Sequence, residues 1–319
     1  MSGSNDHIGG EARRYGNATI GEAVARLRAG GLVAVPTETV YGLAADSTNA
    51  AAVAEIYRTK GRPDFNPLIV HVPDRESAGK LGKFNDLASL FAEALWPGPL
   101  TIVVPKRENC PVAAAVTAGL ETIALRCPAH PVMRELLEQS GLYLAAPSAN
   151  RSGGISPTAA KHVTRSLGEN APLILDGGPC ERGIESTIIA VADGEYRILR
   201  PGPVTDAQLE AVAGKAPILT ETNLIEAPGQ MLSHYAPSKP LRLNAETAAD
   251  DEYHIGFGNV PGDRNLSADA DLAEAASLLF AALHDADASM KSRIAVAPIA
   301  SAGIGNALND RLRRAASPR

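Results

Sequence analysis

Between Thr19 and Gly214 the chain alternates between two periodicities, and this alternation limits its fold more than any other feature. Capped helical segments give way to short β-branched runs bounded by turn residues. Thr19 with Glu22 forms a capping box, Ile20, Val24 and Leu27 recur at helical spacing, and Gly30 and Gly31 end the run. "LVAVPT" then reads as a buried strand, and "NAAAVAEIYRTK" as a helix capped by Asn49 and closed by Gly61. The pattern continues through helices "NDLASLFAEALW", "HPVMRELLEQSG", "TAAKHVTRSLG" and "TDAQLEAVAG" and strands "PLIVHV", "LTIVVP", "TIALR", "LYLAAPS", "PLILD", "STIIAVA" and "YRILRPG". This is an α/β layer fold. Several strands follow one another too closely for a crossover helix, so the sheet is expected to be mixed parallel and antiparallel.

After Gly214 the periodicity stops. Residues 215–240 carry four prolines and, fully extended, would reach roughly 90 Å, enough slack for an interdomain linker that folds back as a lid. "LRLNA", "YHIGFG", a helix from Asp271 to Asp285, "SRIAVAPI" and "GIGNALNDRLRRAA" then form a second, smaller α/β unit over 241–319. "GIGNAL" lacks the third glycine of a dinucleotide fingerprint and reads as a tight strand-to-helix turn. Residues 1–18 are charged, without the apolar core of a secretory signal, and read as a flexible leader. No apolar run approaches the roughly 18 residues of a membrane span, so a cytoplasmic location is expected. Cys110, Cys127 and Cys180 are odd in number and far apart, which favours reduced thiols over disulfides or a zinc site. A net charge of -6 and 4% aromatic content speak against a dedicated nucleic-acid binder.

The common phosphate and acyl-transfer motifs, GxxxxGK[ST], HExxH and GxSxG, are absent. Polar clusters instead sit at the ends of strands, where open α/β sheets bind ligands. In "IYRTKGRPDFNPLIVHV", Lys60 and Arg62 flank a glycine, and Pro63 and Pro67 stiffen the backbone carrying Arg62 and Asn66. Taken alone, these cations offset a helix dipole; together with other clusters they suit an anion. "APSANRSGGISPT" gathers Ser148, Asn150, Ser152 and Ser156 around two glycines, either an anion-cradling loop or an ordinary capped turn. "GIESTIIAV" brings Glu185, Ser186 and Thr187 to the mouth of a strand, and "ILRPG" ends one with Arg200. "PTETVYGLAAD" reads as a loop whose Thr37, Glu38, Thr39 and Tyr41 suit either the ammonium and hydroxyl of a small amino acid or a rigid turn around a core tyrosine. His71 and Arg126 also end strands, as ligand contacts or as structural groups.

"PTETVYGL", "KGRP" with "NPLIVH", "APSAN" with "SPT", and "GIEST", in this order, resemble the YrdC-domain family. "GQMLSHYAPSKPL" and "GNALNDRL" extend the resemblance to the two-domain branch of the L-threonylcarbamoyl-AMP synthases, with Ala44 and Arg182 as mild departures. The resemblance implies a YrdC-like catalytic domain over 19–214 with a twisted mixed sheet and flanking helices, joined to a smaller Rossmann-like domain. It implies that Lys60, Arg62, Ser148 and Asn150 form a catalytic phosphate set, and that Asn66, Thr122, Ser156 and Arg200 line the ATP site. L-threonine would lie against Thr39, His71, Arg126, Ala146 and Ser186.

The implied reaction joins L-threonine, bicarbonate and ATP into threonylcarbamoyl-AMP with release of pyrophosphate. The product would pass to a tRNA threonylcarbamoyl transferase that modifies the adenosine next to the anticodon; direct tRNA contact is left open. Bringing a carboxylate to a polyphosphate requires counter-charge, for which Lys60, as a mobile point charge, and Arg62, Arg126 and Arg200 are available. Mg2+ would be held through the ATP phosphates, with no protein metal site. His234 and Tyr235 are expected to cover the nucleotide. The alternatives are an RNA-binding or ribosome-associated module of the same fold, and carbamoyl transfer as in hydrogenase-maturation proteins, whose acylphosphatase and zinc-finger segments this chain lacks.

Overall fold

The computed structural model describes residues 14–218, 226–228 and 234–317. The Thr19–Glu22 capping box starts helix Ile20–Arg28, and Asn49 caps helix Ala50–Lys60, which Gly61 closes in the left-handed region at φ 60. A second capping box, Thr205 with Gln208, starts helix Asp206–Ala213. These caps satisfy backbone donors that a helix end leaves unpaired, which is why the helices begin where the sequence places them.

The large sheet has nine strands among the described residues, in the spatial order Glu195–Arg200, Thr187–Ala192, Leu100–Pro105, Thr122–Arg126, Ile69–His71, Leu144–Ala145, Gly42–Asp46, Val33–Val35, Leu173–Ile174. It is mixed, as expected: Ile69–His71 runs parallel to Thr122–Arg126, whereas Leu100–Pro105 runs antiparallel to it. The small domain has four parallel strands, in the order Leu241–Arg242, Arg293–Val296, Glu252–Gly256, Arg264–Asn265, with helices Leu272–Ala288 and Gly305–Ala316.

Four sequence expectations are corrected. "PTETVYGLAAD" is a loop only as far as Tyr41, because Gly42–Asp46 pairs antiparallel with Val33–Val35. The leader is shorter than 18 residues, since Arg14–Tyr15 and Ala18–Thr19 form a hairpin with Tyr15 buried; residues 1–13 lie outside the described residues. Eight residues separate strand Arg293–Val296 from helix Gly305–Ala316, so "GIGNAL" is not a tight turn. Helix Arg75–Leu81, capped by Asp74, is an addition to the elements expected from the sequence.

The two domains share a hydrophobic cluster in which Val40, Ile155 and Ile184 of the large domain and Tyr235 of the linker pack with Phe280, Leu283 and Leu308 of the small one. Burying side chains of this size stabilises by about 1.5–3 kcal/mol each, as an upper estimate. The small domain is therefore docked by core packing. No helix of the described residues is long and apolar enough to cross a membrane.

Candidate active site

Strands of opposite sense end together at one edge of the large sheet. His71 and Arg126 close their strands side by side, Arg200 closes Glu195–Arg200, and Ser186 stands just ahead of Thr187–Ala192. The loop before Gly42–Asp46 brings Thr39 to the same edge, and the chain after Leu144–Ala145 brings Ala146 and Ser148. One cavity of about 50 Å³ is lined by Thr39, Arg62, His71, Arg126, Ala146, Ser148, Ser186, Arg200, His234 and Tyr235, all expected from the sequence. Val40, Ile69, Pro147, Glu185 and Pro228 complete the wall.

Arg126 is fixed on three sides. Its Nε donates to the Gly98 carbonyl at 3.2 Å, Nη1 donates to Thr39 Oγ1 at 2.9 Å, and Nη2 lies 2.7 Å from Glu38 Oε1. Glu38 also accepts from the Ala129 amide at 3.1 Å. Burial alone would raise the pKa of this carboxyl, but the Arg126 charge and these hydrogen bonds more than offset it and hold it below the ordinary value. Glu38 is therefore not free for a substrate ammonium, as its loop had suggested; it orients Arg126. A guanidinium has five N–H donors, so two remain for a ligand.

Arg200 donates Nε and Nη2 to the Ser186 carbonyl at 3.1 and 2.9 Å, and Nη1 to the Pro228 carbonyl at 3.3 Å. Arg62 donates to the carbonyls of Asn66 and Pro67 at 3.2 and 2.9 Å. Burial and, more weakly, the Arg200 charge depress its pKa to about 10, with Tyr57 and Tyr235 opposing this. His71 is pushed to about 3 by burial and then by Arg126, so it is neutral. Its Nδ1, together with His234 Nδ1 and the Tyr235 hydroxyl, is buried without a partner among the described residues. Buried polar atoms without partners cost free energy, and three at one cavity mark a place built for a polar ligand.

Lys60, Asn66, Thr122, Asn150 and Ser156 do not line the cavity. Lys60 is buried, and its Nζ donates to the carbonyls of Ser148 and Asn150, each at 2.5 Å, with Asn150 Oδ1 at 3.4 Å. Three oxygen acceptors match the three donors of an ammonium. Lys60 is thus no mobile point charge; it ties "KGRP" to "APSAN". Asn150 turns its amide to the carbonyls of Arg151 and Gly154, and Ser156 donates to Glu185 at 2.5 Å. Thr122 and Arg126 are at opposite ends of one strand, roughly 13 Å apart. Glu38, Glu185 and, from the small domain, Arg311 are the functional groups that sequence reading did not assign. All three had the signal of lying inside one of the motifs: Glu38 in "PTETVYGL", Glu185 in "GIEST" and Arg311 in "GNALNDRL".

Residues 25–202 match the Sua5/YciO/YrdC family model, described as "Telomere recombination". The chain belongs to this family. Residues 204–317 match the model described as "Threonylcarbamoyl-AMP synthase, C-terminal domain". A threonylcarbamoyl-AMP synthase of Bacillus subtilis is 39% identical over 94% of this chain and 93% of its own length. The crystal structure of Pyrococcus abyssi Sua5 complexed with L-threonine superposes with a TM-score of 0.85 at 36% identity, covering 93% of this chain and 94% of that one. The E. coli YciO structure, 22% identical, matches 57% of this chain with a TM-score of 0.50 and shares the fold. Family membership thus spans both domains and the wall of the cavity.

Proposed function

We propose that this chain is an L-threonylcarbamoyladenylate synthase, an ATP-using transferase that supplies the activated group for threonylcarbamoyl modification of tRNA. The observation that carries the reading is the convergence of Arg62, Arg126 and Arg200 on one cavity beside a neutral histidine. In the first step the threonine nitrogen adds to the carbon of bicarbonate, and loss of water leaves a carbamate. A carbamate oxygen then attacks the α-phosphorus of ATP, and pyrophosphate leaves. The nucleophile is already an anion, so the protein's task is alignment and charge neutralisation. Arg126 has the geometry to take the threonine carboxylate, with Thr39, His71, Ala146 and Ser186 around the rest of the amino acid. Arg62 and Arg200 face the polyphosphate. Magnesium would be held through the ATP phosphates, since arginines engage both Glu38 and Glu185, the carboxylates at the cavity.

The cavity is far below the roughly 300–1,000 Å³ of ligand pockets. Of the expected lid, residues 219–225 and 229–233 lie outside the described residues. Between these two stretches, Glu226–Pro228 caps the sheet: Arg197 holds Glu226 by two hydrogen bonds at 3.1 and 2.8 Å, and Ala227 packs on Ile69, Ala124 and Ile188. Substrate entry therefore requires this segment to lift, after which His234 and Tyr235 close over the nucleotide and shield a labile mixed anhydride.

Pyrophosphate release, measured with threonine, bicarbonate and ATP omitted one at a time, tests the reading. Dependence on all three is expected. Release without bicarbonate, or none at all alongside salt-sensitive binding of duplex RNA, would overturn it.

Proton linkage gives a second check. Burial and then Arg62, Lys60, Arg200 and Arg311 lower the pKa of His234. A bound triphosphate opposes the effect of these cations, so ATP binding should move this pKa upward, as followed by the ring-proton resonances of His234 over a pH series. A downward shift would contradict the site's charge arrangement.

A further inference from the structure

The small domain sends one side chain into the wall of the cavity. Arg311, on helix Gly305–Ala316, is fully buried, and all three of its nitrogens are used. Nε donates to Glu185 Oε2 at 2.8 Å, Nη1 to Asp310 Oδ2 at 2.7 Å and Nη2 to the Pro201 carbonyl at 3.0 Å. Its guanidinium carbon lies 5.2 Å from the centre of the Tyr235 ring. The other oxygen of Glu185 accepts from Ser156 Oγ at 2.5 Å. The same helix accepts the His234 amide at the Arg314 carbonyl, 3.3 Å away. Close approach of the domains is built in at Gly183, which has φ 68 and where a Cβ would meet the Ala276 carbonyl oxygen at 2.3 Å.

We propose that Arg311 is a positioning residue for the nucleotide half of the site, so that docking of the small domain is a condition for ATP to be bound productively. This rests on the assignment of the cavity to ATP and threonine. The physical reason lies in how the buried charges pair. Glu185 is a buried carboxylate on the same wall as Arg200, one of the cations facing the polyphosphate. While Arg311 and Ser156 engage Glu185, the Arg200 charge is left for phosphate. Without Arg311, Arg200 is the other cation of the shared wall whose charge acts on Glu185, and an internal ion pair would replace the phosphate contact. Arg311 also holds the Tyr235 ring and, through its helix, the His234 backbone, the two residues that close over the nucleotide. Asp310 accepts from Arg311 and, at 3.1 and 3.2 Å, from Arg314, so two carboxylates and two guanidiniums balance in this network.

Arg311→Met, Glu185→Gln and the double variant test this in the full chain, with ATP kinetics by pyrophosphate release and L-threonine binding by calorimetry. Arg311→Met is expected to raise KM for ATP and lower kcat, with kcat/KM for ATP down on the order of a hundredfold, while threonine affinity stays within about threefold. The double variant is expected to recover roughly tenfold over Arg311→Met, because the neutral amide introduced by Glu185→Gln still accepts from Ser156 but no longer competes for Arg200. A role confined to domain docking would give no such recovery. Unchanged ATP kinetics, an equal loss of threonine affinity, or a double variant no better than the single one would overturn the proposal. If Arg311→Met does not fold, Arg311→Lys decides: the ammonium keeps the charge but loses the fork that reaches Glu185, Asp310 and the Pro201 carbonyl together, so KM for ATP should rise roughly tenfold with threonine affinity within about threefold, and unchanged ATP kinetics or an equal loss of threonine affinity would overturn the proposal. Absence of pyrophosphate release in the unsubstituted chain would overturn the functional reading instead.

Discussion

Arg126→Met is expected to reduce kcat/KM for threonine on the order of a thousandfold. Two losses combine. The substrate carboxylate loses the guanidinium proposed to hold it, and Glu38 is left as a buried carboxylate whose one ion-pair partner among the described residues has gone. Truncating one partner of a buried, hydrogen-bonded charge pair with a ligand costs about 2–5 kcal/mol of binding, and roughly 4 kcal/mol corresponds to a thousandfold in kcat/KM, while the orphaned Glu38 lowers stability by a further ~3–5 kcal/mol. Glu38→Gln should be milder, about ten- to a hundredfold, since the amide still accepts from Ala129 while the charge that orients Arg126 is lost. Both effects belong in the threonine terms of the steady-state kinetics, with KM for ATP nearly constant. A loss confined to KM for ATP would show that the two halves of the cavity are assigned the wrong way round.

Lys60→Met is expected to damage stability and activity together. It would leave the buried carbonyls of Ser148 and Asn150 without their donor, at about 1–3 kcal/mol for each unpaired group, so a total of about 2–6 kcal/mol is expected. The loop that presents Ser148 to the cavity would loosen, and pyrophosphate release should fall on the order of a hundredfold even well below the melting temperature. Thermal melting followed beside the assay separates this from a phosphate-binding role. Activity lost with melting unchanged would mean that Lys60 contacts substrate after all.

What the sequence revealed, and what it hid, follows from the range of the interactions. Helix Ala50–Lys60 was legible because Asn49 and Gly61 act on backbone groups a few residues away. Strand Gly42–Asp46 was not, because "GLAAD" contains no β-branched residue and is fixed by pairing on both sides, with Val33–Val35 and Leu144–Ala145. In the site, Arg62, Arg126 and Arg200 could be placed from the motifs that carry them. The engagement of Lys60 was hidden since its acceptors are backbone carbonyls 88 and 90 residues on, and motifs record side chains. The role of Arg311 was hidden although it stands in "GNALNDRL": its partner Glu185 lies 126 residues away in the other domain, and its basic neighbours make it resemble one more cation on a solvated helix.

In the proposed function, the cavity lets a carbamate made from bicarbonate meet the α-phosphate of ATP. The most direct measurement is mass spectrometry of the product formed from ATP, L-threonine and 13C-bicarbonate. A threonine-containing adenylate carrying one heavy carbon, in amounts equal to the pyrophosphate released, is the expected result. An unlabelled threonyl adenylate, or pyrophosphate without a threonine adduct, would contradict the account.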